Sequence, residues 1–529
     1  DEVARIVREP LSSTELEKAR AVVESQRIYE RESVGGQARK LGYYELLGGG
    51  WEEEERYLIA VRALTPEAIR AVAARYIRPD RAIVTALVPA ADSDGLTSEG
   101  CQAALAKAFS PVAARAASRS GAPIEFTLAS GTRLIVQPDA SVPIVALRAV
   151  ALGGLGYEPA GQGGATRLLA QTLCSGTRLR PPAALAEDIE RMAAALDASS
   201  GRHSVGLRGL FQSTHRERGL DLFLEVLTDP RFDAAELERE RQLQLEAIRS
   251  EADRPAARTM RLFVEALYEG HPYGVSALGS PASVAAVTRE HLIALHGREL
   301  SPDALVIAVT GDVDPDAIAA RFDAALVKPD VTGTRPTVPA PSPLSGPRER
   351  KETGPGEQAH VVLGYRGLTF NDPARPALDV LTTVLSGQGG RLFRELRDRQ
   401  SLAYSVSCSS MEGPNTGHVT AYIGTAPDKL AAALSGLRLA LQAIVQDRVT
   451  SEELERARRN LVGQWDIAHE RRLARAGTLA VQRLFGAPYA DLQGWADAIL
   501  AVTADDVLAV ARRLFDPNGE VLAVFDPRG

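Results

Sequence analysis

The chain has 529 residues, 45% hydrophobic and 24% charged, which is enough for two or three domains with real cores. A formal net charge of −7 without long like-charged runs argues against a nucleic-acid partner and leaves no basic face for a membrane surface. No run of about eighteen uninterrupted apolar residues occurs, so no helix is expected to span a bilayer. Three widely spaced cysteines, Cys101, Cys174 and Cys408, make neither a disulfide framework nor a zinc knuckle.

Residues 1–90 predict long helices followed by an apolar strand at Ala82–Val88. Glu24–Leu47 is helix-like, with a break expected at Gly35-Gly36 and an end at Gly48-Gly49-Gly50. Residues 91–121, rich in Ala, Ser and Gly, predict a linker. Next, Ile124, Phe126 and Leu128 alternate with Glu125 and Thr127, and Ser130-Gly131 turns the chain into Leu134-Ile135-Val136, a hairpin pattern. Helices are expected from Thr166, from Ala183, over Ala235–Ala252 and over Thr288–Pro302. Residues 330–355 carry Pro336, Pro339, Pro341, Pro343, Pro347 and Pro355 and predict an extended second linker. The last unit, 356–529, is expected to mix strands and helices as the second unit, 122–329, does. Each unit therefore reads as α+β, a sheet covered by helices on one face. The amino terminus, Asp1-Glu2-Val3, has no signal-peptide pattern and leaves periplasm and cytoplasm equally open.

One stretch occurs three times. A Thr precedes a Pro by fourteen residues at Thr65…Pro79, Thr288…Pro302 and Thr503…Pro517, with an amphipathic helix between and an apolar strand after. Each copy is preceded by a Glu-Leu-Glu anchor, and from Leu16, Leu237 and Leu454 to the Thr takes 49, 51 and 49 residues. Such constant spacing predicts homologous units repeating every 215–223 residues. The first copy has only fifteen residues ahead of its Leu, so the chain is expected to begin inside a domain, with 1–90 as the rear half.

The second and third units resemble the M16 metallopeptidases, the pitrilysin, insulinase and mitochondrial processing peptidase family. The match rests on Gly163–Thr177, the Leu237–Ile248 helix, His271-Pro272-Tyr273-Gly274 and Val309–Asp314. In the last unit it rests on Gly389–Phe393, Leu396-Arg397 and Leu402–Val406, and in the first on Ala38–Tyr44. The resemblance implies repeated M16-type domains, here half of a four-domain clam shell plus the tail of the domain before it. It also implies a zinc site of the form His-x-x-Glu-His on a helix, where two imidazoles one turn apart hold the metal and the Glu is general base. A third ligand, a Glu, comes from a later helix.

Counting back from Ser175-Gly176-Thr177, the ligand positions hold Arg167 and Gln171, the base position holds Ala170, and Ala247 stands at the third ligand. Arg has no lone pair to offer, Ala offers nothing, and one amide oxygen does not hold zinc. No other histidine pair supplies the motif; His291 and His296, five apart, read as a solvated helix face. No cofactor is expected on this chain, and zinc is expected in the missing N-terminal domain.

In active relatives an Arg and a Tyr seven residues later orient the peptide from the domain opposite the zinc. Arg397 and Tyr404 reproduce that spacing, on an expected helix Gly390–Arg399 and strand Ala403–Ser407. The plain reading of the pair is a surface ion-pair partner and a strand tyrosine; the family match turns it into a substrate-binding pair. Arg391 and Arg394 are expected to cap and solvate their helix, and His271–Gly274 to be a structural turn. Three functions follow. The chain is the C-terminal portion of a zinc metalloendopeptidase acting on peptide substrates; or a non-catalytic subunit that pairs with a zinc-bearing M16 partner; or a purely structural relative of the respiratory core-protein kind. The joined rear half at 1–90 favours the first, and the retained Arg/Tyr spacing favours the first two. By itself the chain is not expected to hydrolyse peptides.

Overall fold

The computed structural model describes residues 11–76, 121–327, 337–487 and 492–528. The expected strand at 82–88, most of the first linker and Cys101 lie outside them. The first segment is an array of four helices: α1 (Ser13–Glu30), α2 (Val34–Tyr43, widening into a π-type turn at Tyr44–Gly48), α3 (Glu53–Arg62) and α4 (Pro66–Tyr76). The break between the first two falls at 31–33, not at Gly35-Gly36. Ser33 caps α2 by accepting from the Gly36 N–H, and Gly36 is packed so close to the Glu30 carbonyl that a β-carbon would collide there. The glycines thus start the second helix rather than end the first.

The second unit runs β1 (Ile124–Thr127), β2 (Arg133–Pro138), β3 (Ile144–Leu152), α5 (Ala165–Leu173), α6 (Pro182–Arg191), β4 (Ala195–Ser200) and β5 (Ser204–Gln212). Its helical rear follows as α7 (Arg216–Thr228), α8 (Ala234–Ala252), α9 (Pro255–Leu267), α10 (Pro281–Ala286) and α11 (Arg289–Glu299), then β6 (Val306–Gly311) and α12 (Pro315–Ala325). The third unit runs β7 (Arg348–Thr353), β8 (Ala359–Gly367), α13 (Arg375–Leu385), a π-type helical segment Phe393–Arg399, β9 (Ser405–Glu412) and β10 (Gly417–Thr425). It ends with α14 (Leu430–Gln446), α15 (Ser451–Ala468), α16 (Arg472–Phe485), α17 (Leu492–Ala501), α18 (Ala504–Leu514) and β11 (Val521–Asp526).

The two sheets share one topology. The first is ordered β1-β2-β6-β3-β5-β4 and the second β7-β11-β8-β10-β9. Without β1 they match strand for strand, and in both the single parallel pair is the one made by the last strand, β2 with β6 and β7 with β11. Strand β7 corrects the expected linker 330–355: the third unit's sheet already begins at Arg348. Its sequence, Arg-Glu-Arg-Lys-Glu-Thr, shows no apolar alternation because it is an edge strand with both faces largely wet.

One face of each sheet packs on its own unit's helices and builds the main cores, Leu147, Leu168, Phe223 and Leu292 in one, Leu363, Leu381, Leu437 and Val507 in the other. The other face is covered crosswise. Helix α9 of the second unit lays Phe263, Leu267 and Tyr268 over Val362, Val521 and Ala523 of the third unit's sheet. Helix α16 of the third unit returns the contact, placing Ala476, Leu479 and Ala480 on Ile135, Val150, Val306 and Ala308. Gly364 in β8 makes room for this, since a β-carbon there would press into the Phe263 ring.

The first segment docks where the two units meet. The Tyr29 hydroxyl donates to the Ala193 carbonyl at 3.1 Å, and Glu470 accepts from the Val34 N–H at 2.9 Å. Beneath it Arg472, almost wholly buried, reaches the Asp139 carboxylate at 3.0 Å and approaches Glu32 at 3.8 Å, while Arg475 holds the other Asp139 oxygen at 2.7 Å. Burial alone would raise the Asp139 pKa. Hydrogen bonds from Ser141 and the two guanidiniums outweigh it and hold the carboxyl low.

Candidate functional site

The positions expected to correspond to the zinc motif lie on α5, which starts at Gly164 in a left-handed conformation. There a β-carbon would collide with the Leu278 carbonyl. Glu158 caps the helix, accepting from the Gly164 and Thr166 N–H groups at 2.9 and 2.8 Å. Helix α5 packs against α8, and Gln244 of α8 donates to the Gly164 and Leu278 carbonyls at 3.1 and 2.8 Å. The scaffold that would bring a motif helix and a third-ligand helix together is therefore built.

Its side chains do not fit a zinc ion. Arg167 is exposed, Ala170 is buried with no donor atom, and Ala247 is half-buried on α8. Gln171 is the one ligand-position side chain with something to offer. Its amide nitrogen donates to the Glu240 carboxylate at 3.1 Å, while its buried oxygen has no described partner. One amide oxygen beside three non-ligands is no metal donor set. Nothing in the spacing of Glu240 marks it as the partner of Gln171; only the crossing of α5 and α8 brings them together.

The third unit brings Arg397 and Tyr404 into contact. Arg397 lies in the last turn of the wide helical segment Phe393–Arg399, its guanidinium 4.8 Å from the centroid of the Phe393 ring and donating to the Tyr404 backbone carbonyl at 3.2 Å. The connecting loop is pinned. Leu402 N–H donates to the Leu396 carbonyl at 2.7 Å, Lys429 holds the Ser401 carbonyl at 2.9 Å, and Ser401 takes a positive φ of 51°. Tyr404 precedes β9 by one residue and donates its N–H to the Gly424 carbonyl at 2.9 Å, extending the ladder with β10. Tyr404 is 60% exposed, and no described residue takes its hydroxyl. The helix is thus of π type rather than α, and the strand begins two residues later than expected.

Neighbouring residues have other work. Arg391 does not merely cap its helix; it makes a two-pronged ion pair with Glu453 of α15 at 2.8 Å, which holds that carboxyl down at about 2. The pair forms one wall of a cleft of about 420 Å³ under α14, which neither Arg397 nor Tyr404 lines. His271 caps the turn Pro272–Gly274 by accepting from the Tyr273 N–H at 3.1 Å, the structural part expected of it. His296 bonds the Leu227 carbonyl at 2.9 Å, and His291 closes the capping box on Thr288. Among the described residues no three His, Cys, Asp or Glu side chains are grouped to hold a metal ion, and no helix is long and apolar enough to cross a membrane.

Two family models align end to end on these units. The model for the insulinase family, peptidase family M16, matches residues 134–280, and the model for the peptidase M16 inactive domain matches 286–461. The chain belongs to the M16 peptidase family. Similar M16 relatives include an uncharacterised zinc protease of Mycobacterium tuberculosis, 28% identical over 416 residues, covering 77% of this chain and 94% of that one. Another is the uncharacterised zinc protease YmxG of Bacillus subtilis, 25% identical over 408 residues, covering 76% and 98%. Among solved structures, an M16 inactive domain from Pseudomonas fluorescens superposes with a TM-score of 0.70 at 22% identity, covering 77% of this chain and 98% of that one. A protease from Helicobacter pylori gives 0.72 at 20%, covering 77% and 100%. At these identities the structures speak for the M16 fold, two α+β units with mixed sheets.

Proposed function

We propose that this chain is the substrate-holding part of an M16-type metalloendopeptidase whose zinc sits in a unit outside the described residues. The observation that carries the reading is the Arg397–Tyr404 contact: two polar side chains on a pinned loop, both turned to solvent, one fixing the other's backbone. A peptide carbonyl under attack gains negative charge on oxygen, and a phenolic O–H and a guanidinium are suitable donors to it. The loop between them is already pinned at Ser401 and Leu402, so its backbone needs little reorganisation when substrate arrives. The zinc supplies the activated water when bound in its own unit; this chain's residues orient the peptide and stabilise charge. Whether the zinc-bearing unit is joined to this chain or arrives as a second one, the role of the pair is the same.

The test is Tyr404→Phe in the assembled, zinc-loaded enzyme, which keeps the ring and removes one donor. Peptide turnover is expected to fall about a hundredfold, on the order of 3 kcal/mol, with KM changing little and the melting temperature unchanged. Turnover at the wild-type rate would return the pair to ordinary surface residues.

A further inference from the structure

A cavity of about 710 Å³ lies between the second unit's sheet, toward its β4 edge, and helices α15 to α17 of the third unit; neither Arg397 nor Tyr404 lines it. Its floor is one rung of the sheet. Arg148 of β3 stands opposite Arg208 of β5, and Arg208 stands opposite Asp197 of β4. Cross-strand partners point to the same face, so two guanidiniums share it with one carboxylate. Asp197 is taken by Arg208 at 2.5 Å. Arg148, part-buried, is left with a neutral acceptor, the Ser199 hydroxyl at 2.9 Å, and among the described residues no carboxylate forms an ion pair with it. Burial and the facing Arg208 lower the Arg148 pKa more than Asp197 raises it. Like charges set directly opposite are destabilising, and this pair lacks the second carboxylate that would neutralise it.

The walls do not supply one. Arg375 lies over the Phe370 ring at 4.2 Å and approaches Glu412 at 3.8 Å. His469 spends both ring nitrogens, on the Trp465 carbonyl at 2.7 Å and the Thr478 hydroxyl at 2.8 Å. Arg471, exposed at the head of α16, adds further positive charge, and the carboxylates beside it, Glu32 and Glu470, accept the Arg472 and Val34 N–H groups. The rest of the lining is largely apolar. Trp465 is stacked on Trp495 with 4.1 Å between ring centroids, and Leu473 and Val481 face the same space.

We propose that this cavity binds a carboxylate carried on an apolar body, with Arg148 holding the carboxylate and the body lying against Trp465 and α16. One guanidinium without a counter-charge calls for one negative charge, and its planar fork fits a carboxylate through two parallel hydrogen bonds. The volume and the mixture of apolar walls with a few charged groups are those of a small-ligand site. A free organic acid and the C-terminal end of a peptide share this chemistry. The inference goes beyond the functional reading above and is independent of it, since it needs neither zinc nor the Arg397–Tyr404 contact.

Equilibrium dialysis of the whole chain against radiolabelled hydrocinnamate, an apolar ring on a short carboxylate, tests the idea. Saturable binding at millimolar concentration or below is expected, and the uncharged hydrocinnamamide should bind about tenfold or more weakly. Arg148→Met should weaken hydrocinnamate binding by about tenfold or more while the melting temperature holds or rises, because no ion pair is broken and the repulsion from Arg208 is relieved. Gly477→Leu is the second variant. Gly477 lines the cavity from α16 with open space where a β-carbon would stand, so the new side chain fills the cavity, leaves Arg148 in place and should abolish binding in a folded protein. A peptide ending in a free Phe, compared with its amide, identifies the source: binding tighter than that of hydrocinnamate assigns the cavity to peptide ends, and weaker binding assigns it to free acids. No saturable binding of hydrocinnamate, an amide that binds as tightly as the acid, or wild-type binding in either variant would overturn the proposal. So would a lowered melting temperature in Arg148→Met, which would assign the guanidinium to the fold.

Discussion

The Gln171 side-chain amide donates to the Glu240 carboxylate at 3.1 Å, joining the two helices that would have to share a metal. The two helices cross there without a set of metal-ligating side chains between them.

Metal binding follows from that contact. The purified chain dialysed against zinc should retain none stoichiometrically, and one tightly held zinc per chain by elemental analysis would contradict the account. The fourfold substitution Arg167→His, Ala170→Glu, Gln171→His and Ala247→Glu should gain about one zinc per chain, since only the donors are missing. No gain would mean that the α5–α8 crossing has drifted from metal-binding geometry.

Asp139→Ala should be strongly destabilising. It leaves Arg472, 2% exposed, without its closest carboxylate, and removing one partner of a buried ion pair costs about 3–5 kcal/mol. A urea titration checks this. A loss below about 1 kcal/mol would mean that Glu32, or water, compensates the guanidinium.

Acid should weaken the contact between the units. Burial, with Arg202 beside it, lowers the His203 pKa to about 4; burial, with Arg202, Arg366 and His203 nearby, lowers that of His418 to about 3. Around them lie Tyr268, whose hydroxyl meets His418 Nδ1 at 3.2 Å, and the Tyr273 and Phe485 rings against His203. The folded state binds fewer protons than the unfolded chain below pH 6.5, so stability is complete above that value. It declines as pH falls from 6.5 toward 4, by on the order of 3 kcal/mol for His203. Denaturant midpoints at pH 7 and pH 5 measure the slope, and His203→Phe should flatten it. An unchanged slope in that variant would exonerate His203.

Gly364→Ala should loosen the crosswise packing. Its methyl would meet the Val419 carbonyl at 2.5 Å and the Phe263 ring at 2.7 Å, and such overpacking costs about 1–3 kcal/mol. Hydrogen exchange in α9 should rise more than in α8. Equal protection in both helices would mean that the sheet, not the helix, gives way.

What the sequence revealed was local chemistry. Thr65, Thr288 and Thr503 stood out by their fixed distance to a Pro, and the structure gives that repeat a local cause, since each caps a helix through its own neighbours. The Ser130-Gly131 hairpin was visible for the same reason, with Ile124 opposite Val136. Long-range relations were hidden. The helices of Phe263 and Leu479 were not singled out, and the partner of each is a strand in the other unit, remote in sequence. Strand β7 was hidden because a wet edge carries no alternation. At the candidate site the spacing of Arg397 and Tyr404 was readable; that the guanidinium would meet the backbone of Tyr404 depended on the pinned loop at Ser401.

The crosswise placement of α9 and α16 bears on how such a chain can be inherited. A unit expressed without its neighbour would lose the cover of its sheet and expose its own helix, offering two sticky surfaces in place of none. Cutting the peptide between the two units at Pro341 should not part them, and heating should melt them together. The smallest piece that can be copied, moved or discarded without penalty is therefore the pair.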